Sequence, residues 1–158
     1  MSDPWAVEEE FDQLKNCALS ILCGEQIGSG STRRVYALKH DPSLVIKIEH
    51  AARRFCNVTE YDVWKEVRRS ENAKWFAPVV DIDIWGGALL MKRTQPITDD
   101  EFFDEIKELP SFMSDTHPQN FGRLDGRIVC HDYGYHKALS VFGRKATMKP
   151  VKREDYLS

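Results

Sequence analysis

Ser114-Asp115-Thr116-His117-Pro118-Gln119-Asn120-Phe121-Gly122, followed after a short apolar run by Asp132-Tyr133-Gly134, is the stretch on which the reading of this chain turns. An Asp, an Asn five residues later, and a second Asp closing the run Ile128-Val129-Cys130 have the spacing of a metal-phosphate site. Phosphoryl transfer needs one carboxylate to orient an attacking hydroxyl, and an amide oxygen with another carboxylate to hold Mg²⁺ against a triphosphate. Asp115, Asn120 and Asp132 suit those tasks in that order. The alternative for the same residues is an Asx-rich turn between strands.

Working upstream, Leu44-Val45-Ile46-Lys47-Ile48 reads as a strand whose apolar run is interrupted by Lys47. An unpaired buried ammonium is costly, so Lys47 either points to solvent or meets an anion. The next segment supplies one. Residues 58–69 read as an amphipathic helix, and at about 100° per residue Glu60, Val63, Trp64 and Val67 share its apolar face. Glu66 falls away from that face, beside Lys65, Arg68 and Arg69, and reads as a solvated charge. A carboxylate on the buried face and a lysine inside the preceding strand are expected to pair. Before them lies Ile27-Gly28-Ser29-Gly30-Ser31-Thr32-Arg33-Arg34-Val35, a glycine turn between β-prone residues. Glycines let backbone N–H groups approach phosphate oxygens, although a plain hairpin uses the same residues.

The remaining segments frame these. Residues 4–22 have apolar residues at three- and four-residue intervals and predict a helix, with Asp3-Pro4 at its start and Gly24 as its stop. Residues 76–91 predict two strands around Gly86-Gly87. Thr98-Asp99-Asp100-Glu101 is a helix-capping signature, and Phe102, Phe103, Ile106 and Leu109 give the helix an apolar face that ends at Pro110. Residues 122–130 predict a hairpin turning at Asp125-Gly126 and delivering Asp132 at its end. Arg144, Lys145, Lys149, Lys152 and Arg153 make the C-terminal stretch basic, and it is expected to be a solvated tail.

Composition bounds the alternatives. A length of 158 residues, 42% hydrophobic and 30% charged, fits a single folded domain. A net charge of -3 argues against bulk nucleic-acid binding. Cys17, Cys23, Cys56 and Cys130 lack metal-ligand spacing and are expected to be reduced core thiols. The acidic N-terminus, and the lack of an apolar run near the roughly 18 residues a membrane span requires, lead to the expectation of a cytoplasmic protein without a membrane partner.

The pattern D-x-x-x-x-N followed by D-Y-G resembles the catalytic and metal-binding loops of the protein-kinase superfamily, H-R-D-x-x-x-x-N and D-F-G. Met113 and Ser114 stand where that family has His and Arg. His117 makes the loop more similar to the D-x-H-P-x-N run of aminoglycoside and choline phosphotransferases. The glycine turn resembles G-x-G-x-x-G-x-V, with Arg33 in the place of the third Gly and Val35 in that of the adenine-covering Val. Lys47 resembles the V-A-I-K lysine and Glu60 its helix partner. Met91 takes the place of a gatekeeper, with Lys92 to Thr94 as a hinge meeting the purine edge; its other reading is ordinary core. The resemblance covers roughly residues 24–136. Together with N-V-x-E-x-x-V-W at Asn57 to Trp64, it is closest to small kinase-like proteins encoded by bacteriophages.

The resemblance implies an α+β, protein-kinase-like fold: a five-strand antiparallel N-lobe with one main helix, and a much reduced C-lobe. As a single domain it divides into residues 1–92, 93–136 and a basic tail at 137–158. Room for one helix between hinge and catalytic loop, where a protein kinase has two, is the largest departure. The implied activity is ATP- and Mg²⁺-dependent phosphotransfer to an unknown acceptor. Asp115 would orient the acceptor hydroxyl, Lys47 would hold the α- and β-phosphates, and Asn120 with Asp132 would bind metal. His117 would meet the γ-phosphate or serve as a structural loop histidine. Gly28, Ser29, Gly30, Ser31, Val35, Glu60 and Met91 would complete the nucleotide site. The alternative is a pseudokinase-type protein that engages or inhibits a host protein in the bacterial cytoplasm without catalysis. A third reading, a nucleic-acid-linked regulator acting through the basic tail, is opposed by the overall negative charge.

Overall fold

The computed structural model describes residues 17–50, 55–134 and 146–156. Five strands, β1 (Cys23–Ser29), β2 (Arg33–Leu38), β3 (Leu44–Glu49), β4 (Val79–Ile82) and β5 (Ala88–Lys92), form an antiparallel sheet in the order β1-β2-β3-β5-β4. The expected α+β class and five-strand antiparallel sheet are both present. β3 is central, and Leu44, Val45, Ile46 and Lys47 are all buried. A strand covered on both faces has no solvent side for a lysine, which removes the solvent-pointing alternative for Lys47. Its register sets it between Val35 on β2 and Leu89 on β5.

Helix α1 (Cys56–Val67) begins two residues before its expected start. Phe55, the residue before it, has a left-handed backbone with φ 52° and offers no side-chain cap. The Glu49 carboxylate at the end of β3 accepts from the Cys56 N–H at 2.8 Å instead, tying the helix start to the strand that carries Lys47. Val63 and Val67 enter the main core with Phe76, Leu89, Met113 and Tyr133, and Glu60 lies on the same buried face. Trp64 packs at the margin, and Glu66 is exposed as expected.

Helix α2 (Asp99–Glu105) opens with the expected capping box, Thr98 accepting from the Glu101 N–H and Glu101 accepting from the Thr98 N–H. It ends well short of Leu109. Residues Glu108–Pro110 are instead a strand, β6, paired with β9 (Met148–Pro150), so Leu109 reaches full burial in extended backbone. The expectation of a solvated tail is therefore overturned for residues 146–156, which pair with β6 and continue along α2. The rest of that stretch and most of the expected N-terminal helix lie outside the described residues; 17–22 are helical. The hairpin of β7 (Phe121–Leu124) and β8 (Arg127–Cys130) turns at Asp125 and Gly126, with φ 49° and 78°, the paired positive values of a two-residue turn matched to strand twist.

Of the four cysteines, all free, only Cys56 and Cys130 are core thiols; Cys23 is half-buried and Cys17 is exposed. No helix among the described residues is long and apolar enough to cross a membrane.

Candidate functional site

Four ionised side chains from four parts of the chain meet beneath the glycine turn. Lys47 Nζ lies 3.0 and 2.9 Å from the two Glu60 carboxylate oxygens, the pairing expected from the sequence. The same ammonium donates to the His131 carbonyl, which brings the residue before Asp132 against β3. Arg33, the first residue of β2, sends its guanidinium into the cluster: Nη2 to Glu60 Oε1 at 2.9 Å, Nη1 to Glu60 Oε2 at 2.9 Å, Nη1 to Asn57 Oδ1 at 3.2 Å, and Nη2 to Asp132 Oδ1. The Tyr133 N–H completes the shell of Glu60 at 2.9 Å.

The electrostatics follow from this geometry. Burial by itself would raise the Glu60 carboxyl, but the Lys47 and Arg33 cations overcome it and hold the group at about 2. Asp132 is raised, burial being the main cause; Lys47 and Arg33 pull against it, and the neighbouring Glu60 charge adds to it. Its side chain nevertheless keeps 44% exposure, on the cavity side, whereas Arg33 keeps 6%. Burial, with Lys47 adding to it, lowers His131 to about 4 and so keeps it neutral near pH 7. Its Nδ1 shares a hydrogen bond of 2.8 Å with the Thr94 hydroxyl.

A cavity of about 560 Å³ opens above this cluster. Gly28, Ser29, Gly30 and Val35 line it from the glycine turn and β2, and Lys47 and Met91 line it from the sheet. Asn120 and Asp132 line it from the opposite side. Ser31 is not in the lining, and Glu60, with no exposure, lies behind Lys47. Asp115 and His117 are outside it as well. Asp115 is half-buried, its carbonyl accepting from Asn120 Nδ2 at 3.4 Å, while His117 is exposed and caps the short helical turn Pro118–Asn120. The cavity thus gathers nine of the twelve residues singled out from sequence if Glu60 is counted through its bond to Lys47. The three left out are Ser31, Asp115 and His117.

No family model and no curated protein matches this chain.

Close approaches hold the two sides of the cavity in place. A Cβ at Gly134 would lie 2.9 Å from Cys56 Cβ, and one at Gly122 would lie 2.4 Å from Thr94 Oγ1. The third residue of Asp-Tyr-Gly is thus fixed by the start of α1, and the glycine after Phe121 by the 92–97 stretch. By contrast, neither Gly28 nor Gly30 has a positive φ, and a Cβ there would make only ordinary contacts. Those two glycines keep space open rather than permit a strained turn. Along 92–95 the N–H groups of Lys92, Arg93 and Gln95 are committed to Pro78, Ser43 and Arg123 carbonyls. The expected backbone contact to a purine is thereby narrowed to the carbonyls and the N–H of Thr94.

The C-terminal segment braces the loop that bears Asp115. Lys149 donates to the Met113 carbonyl at 2.6 Å, and the Tyr156 and Thr116 hydroxyls share a bond of 2.7 Å. Tyr156 also packs edge-on against Phe103 and His117, so His117 is held by an aromatic neighbour rather than turned to the cavity. Sequence reasoning had no signal for these contacts beyond the presence of a tyrosine after a basic run.

A metal held by Asn120 and Asp132 does not fit the arrangement as it stands. Mg²⁺ takes one or two carboxylates plus phosphate oxygens and waters, and needs Asp132 as its carboxylate. One oxygen of that carboxylate, Oδ1, is already ion-paired with the Arg33 guanidinium, which a divalent cation there would face. Arg33 was visible in the sequence only as a departure from a third glycine. Asn57, its other partner, also binds the Lys47 and Gly86 carbonyls, and the clue to it is its place one helical turn before Glu60.

Proposed function

We propose that this chain has a protein-kinase-like fold in which the cavity between the glycine turn and the Asn120–Asp132 side binds ATP, and that it acts as a pseudokinase-type nucleotide-binding protein. The observation that carries nucleotide binding is the buried Lys47–Glu60 pair at the cavity floor. A lysine oriented by a carboxylate, beneath glycines that leave room for phosphate oxygens, is the arrangement that positions α- and β-phosphates. Val35 and Met91 supply the apolar walls for a flat base, and Thr94 supplies the backbone edge. The observation that favours binding over chemistry is Arg33, whose guanidinium is paired with one oxygen of the carboxylate that phosphotransfer needs for its metal.

Phosphotransfer to an unidentified acceptor is the second reading, and one observation favours it. Asp115, Asn120 and Asp132 stand in the order and at the spacing that chemistry uses, with Asn120 and Asp132 on the same cavity. In that reading Asp115 orients the acceptor hydroxyl. The two are separated by incubating the protein with γ-labelled ATP, with and without lysate of a bacterial host, beside a calorimetric ATP titration. Binding without label transfer supports the pseudokinase reading. Label transfer that is lost in Asp115→Asn supports the enzyme. The absence of binding contradicts both.

A further inference from the structure

We propose that the Arg33 guanidinium serves at Asp132 in place of a divalent cation, so that the cavity takes up a nucleoside triphosphate free of metal. The inference rests on the reading of the cavity as a nucleotide site and concerns what balances the phosphate charge there. The cluster holds two cations, Lys47 and Arg33, against two anions, Glu60 and Asp132. It is neutral without any added ion. A divalent cation placed on Asp132 would sit close to the guanidinium, and the two would repel.

Arg33 is not a side chain that happens to have swung in. Its backbone pairs with Glu49 in the sheet and its carbonyl accepts from the Gly30 N–H at 2.9 Å, so it is built into the base of the glycine turn. Asn57 and both Glu60 oxygens fix the fork. Withdrawing it to admit a metal would leave the Asn57 oxygen without this donor and Glu60 with Lys47 as its one cation. Arg33 lines the same cavity as Lys47, with Lys92 and Arg93 at the 92–97 stretch, and with its terminal N–H groups committed within the cluster it acts on a bound phosphate through its charge. Lys92 and Arg93, outside the neutral cluster, thereby add positive charge that a metal would otherwise bring.

The test is a calorimetric titration with ATP of the wild-type protein, in EDTA and in excess Mg²⁺. The two dissociation constants are expected to agree within about threefold, and Arg33→Gln is expected to weaken binding in EDTA by about tenfold or more, with Mg²⁺ recovering most of the loss at the opened Asp132. Arg33→Lys, which keeps the charge but not the fork, serves if the glutamine variant does not fold, and is expected to fall between the two. Wild-type binding that appears only with Mg²⁺ overturns this inference and leaves the nucleotide site standing. Binding in neither buffer overturns the nucleotide reading, and this inference with it.

Discussion

Glu60 is shared by two cations, and this makes a mutant cycle with Lys47 asymmetric. Glu60→Gln keeps the size of the side chain and an oxygen for the Tyr133 N–H, but leaves both Lys47 and Arg33 facing a neutral amide in a site with almost no solvent. Breaking a buried pair from one side costs about 3–5 kcal/mol, and here two pairs are broken at once, so the loss should lie at the upper end of that range. Lys47→Met is milder. Glu60 then retains Arg33 at 2.9 Å on both oxygens, and the methionine fills the aliphatic volume, so about 1–2 kcal/mol is expected. In the double variant Arg33 still has Asp132 and Asn57, and no lysine is stranded. The double should therefore be more stable than the sum of the singles implies, by about 2 kcal/mol. Urea denaturation at pH 7, followed by circular dichroism, measures all three. Equal losses for the two single variants would refute the shared-carboxylate arrangement, because they would mean that Arg33 offers Glu60 nothing once Lys47 is gone, and additive losses would mean that Lys47 and Glu60 do not interact.

Three further outcomes are expected. His131 is lowered to about 4 from 6.5, so the unfolded chain binds its proton first as pH falls; this contribution to stability is complete above pH 6.5 and shrinks towards pH 4, about 2 kcal/mol being lost between pH 7 and pH 5. Urea midpoints at the two pH values should converge in His131→Asn. Gly134→Ala puts a methyl within 2.9 Å of Cys56 Cβ and 3.1 Å of its carbonyl oxygen, which should destabilise by about 2–3 kcal/mol, while the same change at Gly28 stays within about 1 kcal/mol; thermal unfolding compares them. Asp115→Asn, outside the cavity lining, should leave the ATP dissociation constant within about twofold of wild type; a tenfold change by calorimetry would place Asp115 on the nucleotide instead.

The parts of the fold written in local pattern were legible. The apolar run broken by Lys47 points to β3, residues 76–91 around Gly86-Gly87 point to β4 and β5, the Thr98–Glu101 box to the start of α2, and Asp125-Gly126 to the hairpin. Lys47 and Glu60 were legible as a pair because each breaks an apolar pattern, and each break asks for the other. The missing parts depend on partners distant in sequence. Nothing between Glu108 and Pro110 signals a strand until Met148–Pro150 is beside it, so the apolar period of the helix runs on through Leu109 in the sequence. The same pairing turned an expected solvated stretch into a brace for the Thr116–His117 loop. Arg33 was the most consequential miss. On sequence alone Arg33 is only a departure from a third glycine, and it is the convergence of β2, α1 and the Asp132 loop that takes it out of water.

The cavity above Lys47 as a nucleotide site is tested most directly by calorimetric titration of ATP into wild-type protein beside a folded Lys47→Met variant. Saturable binding with one molecule per chain, weakened about tenfold or more by the substitution, is the predicted result. No heat of binding, or binding that is equally tight in the variant, would contradict it.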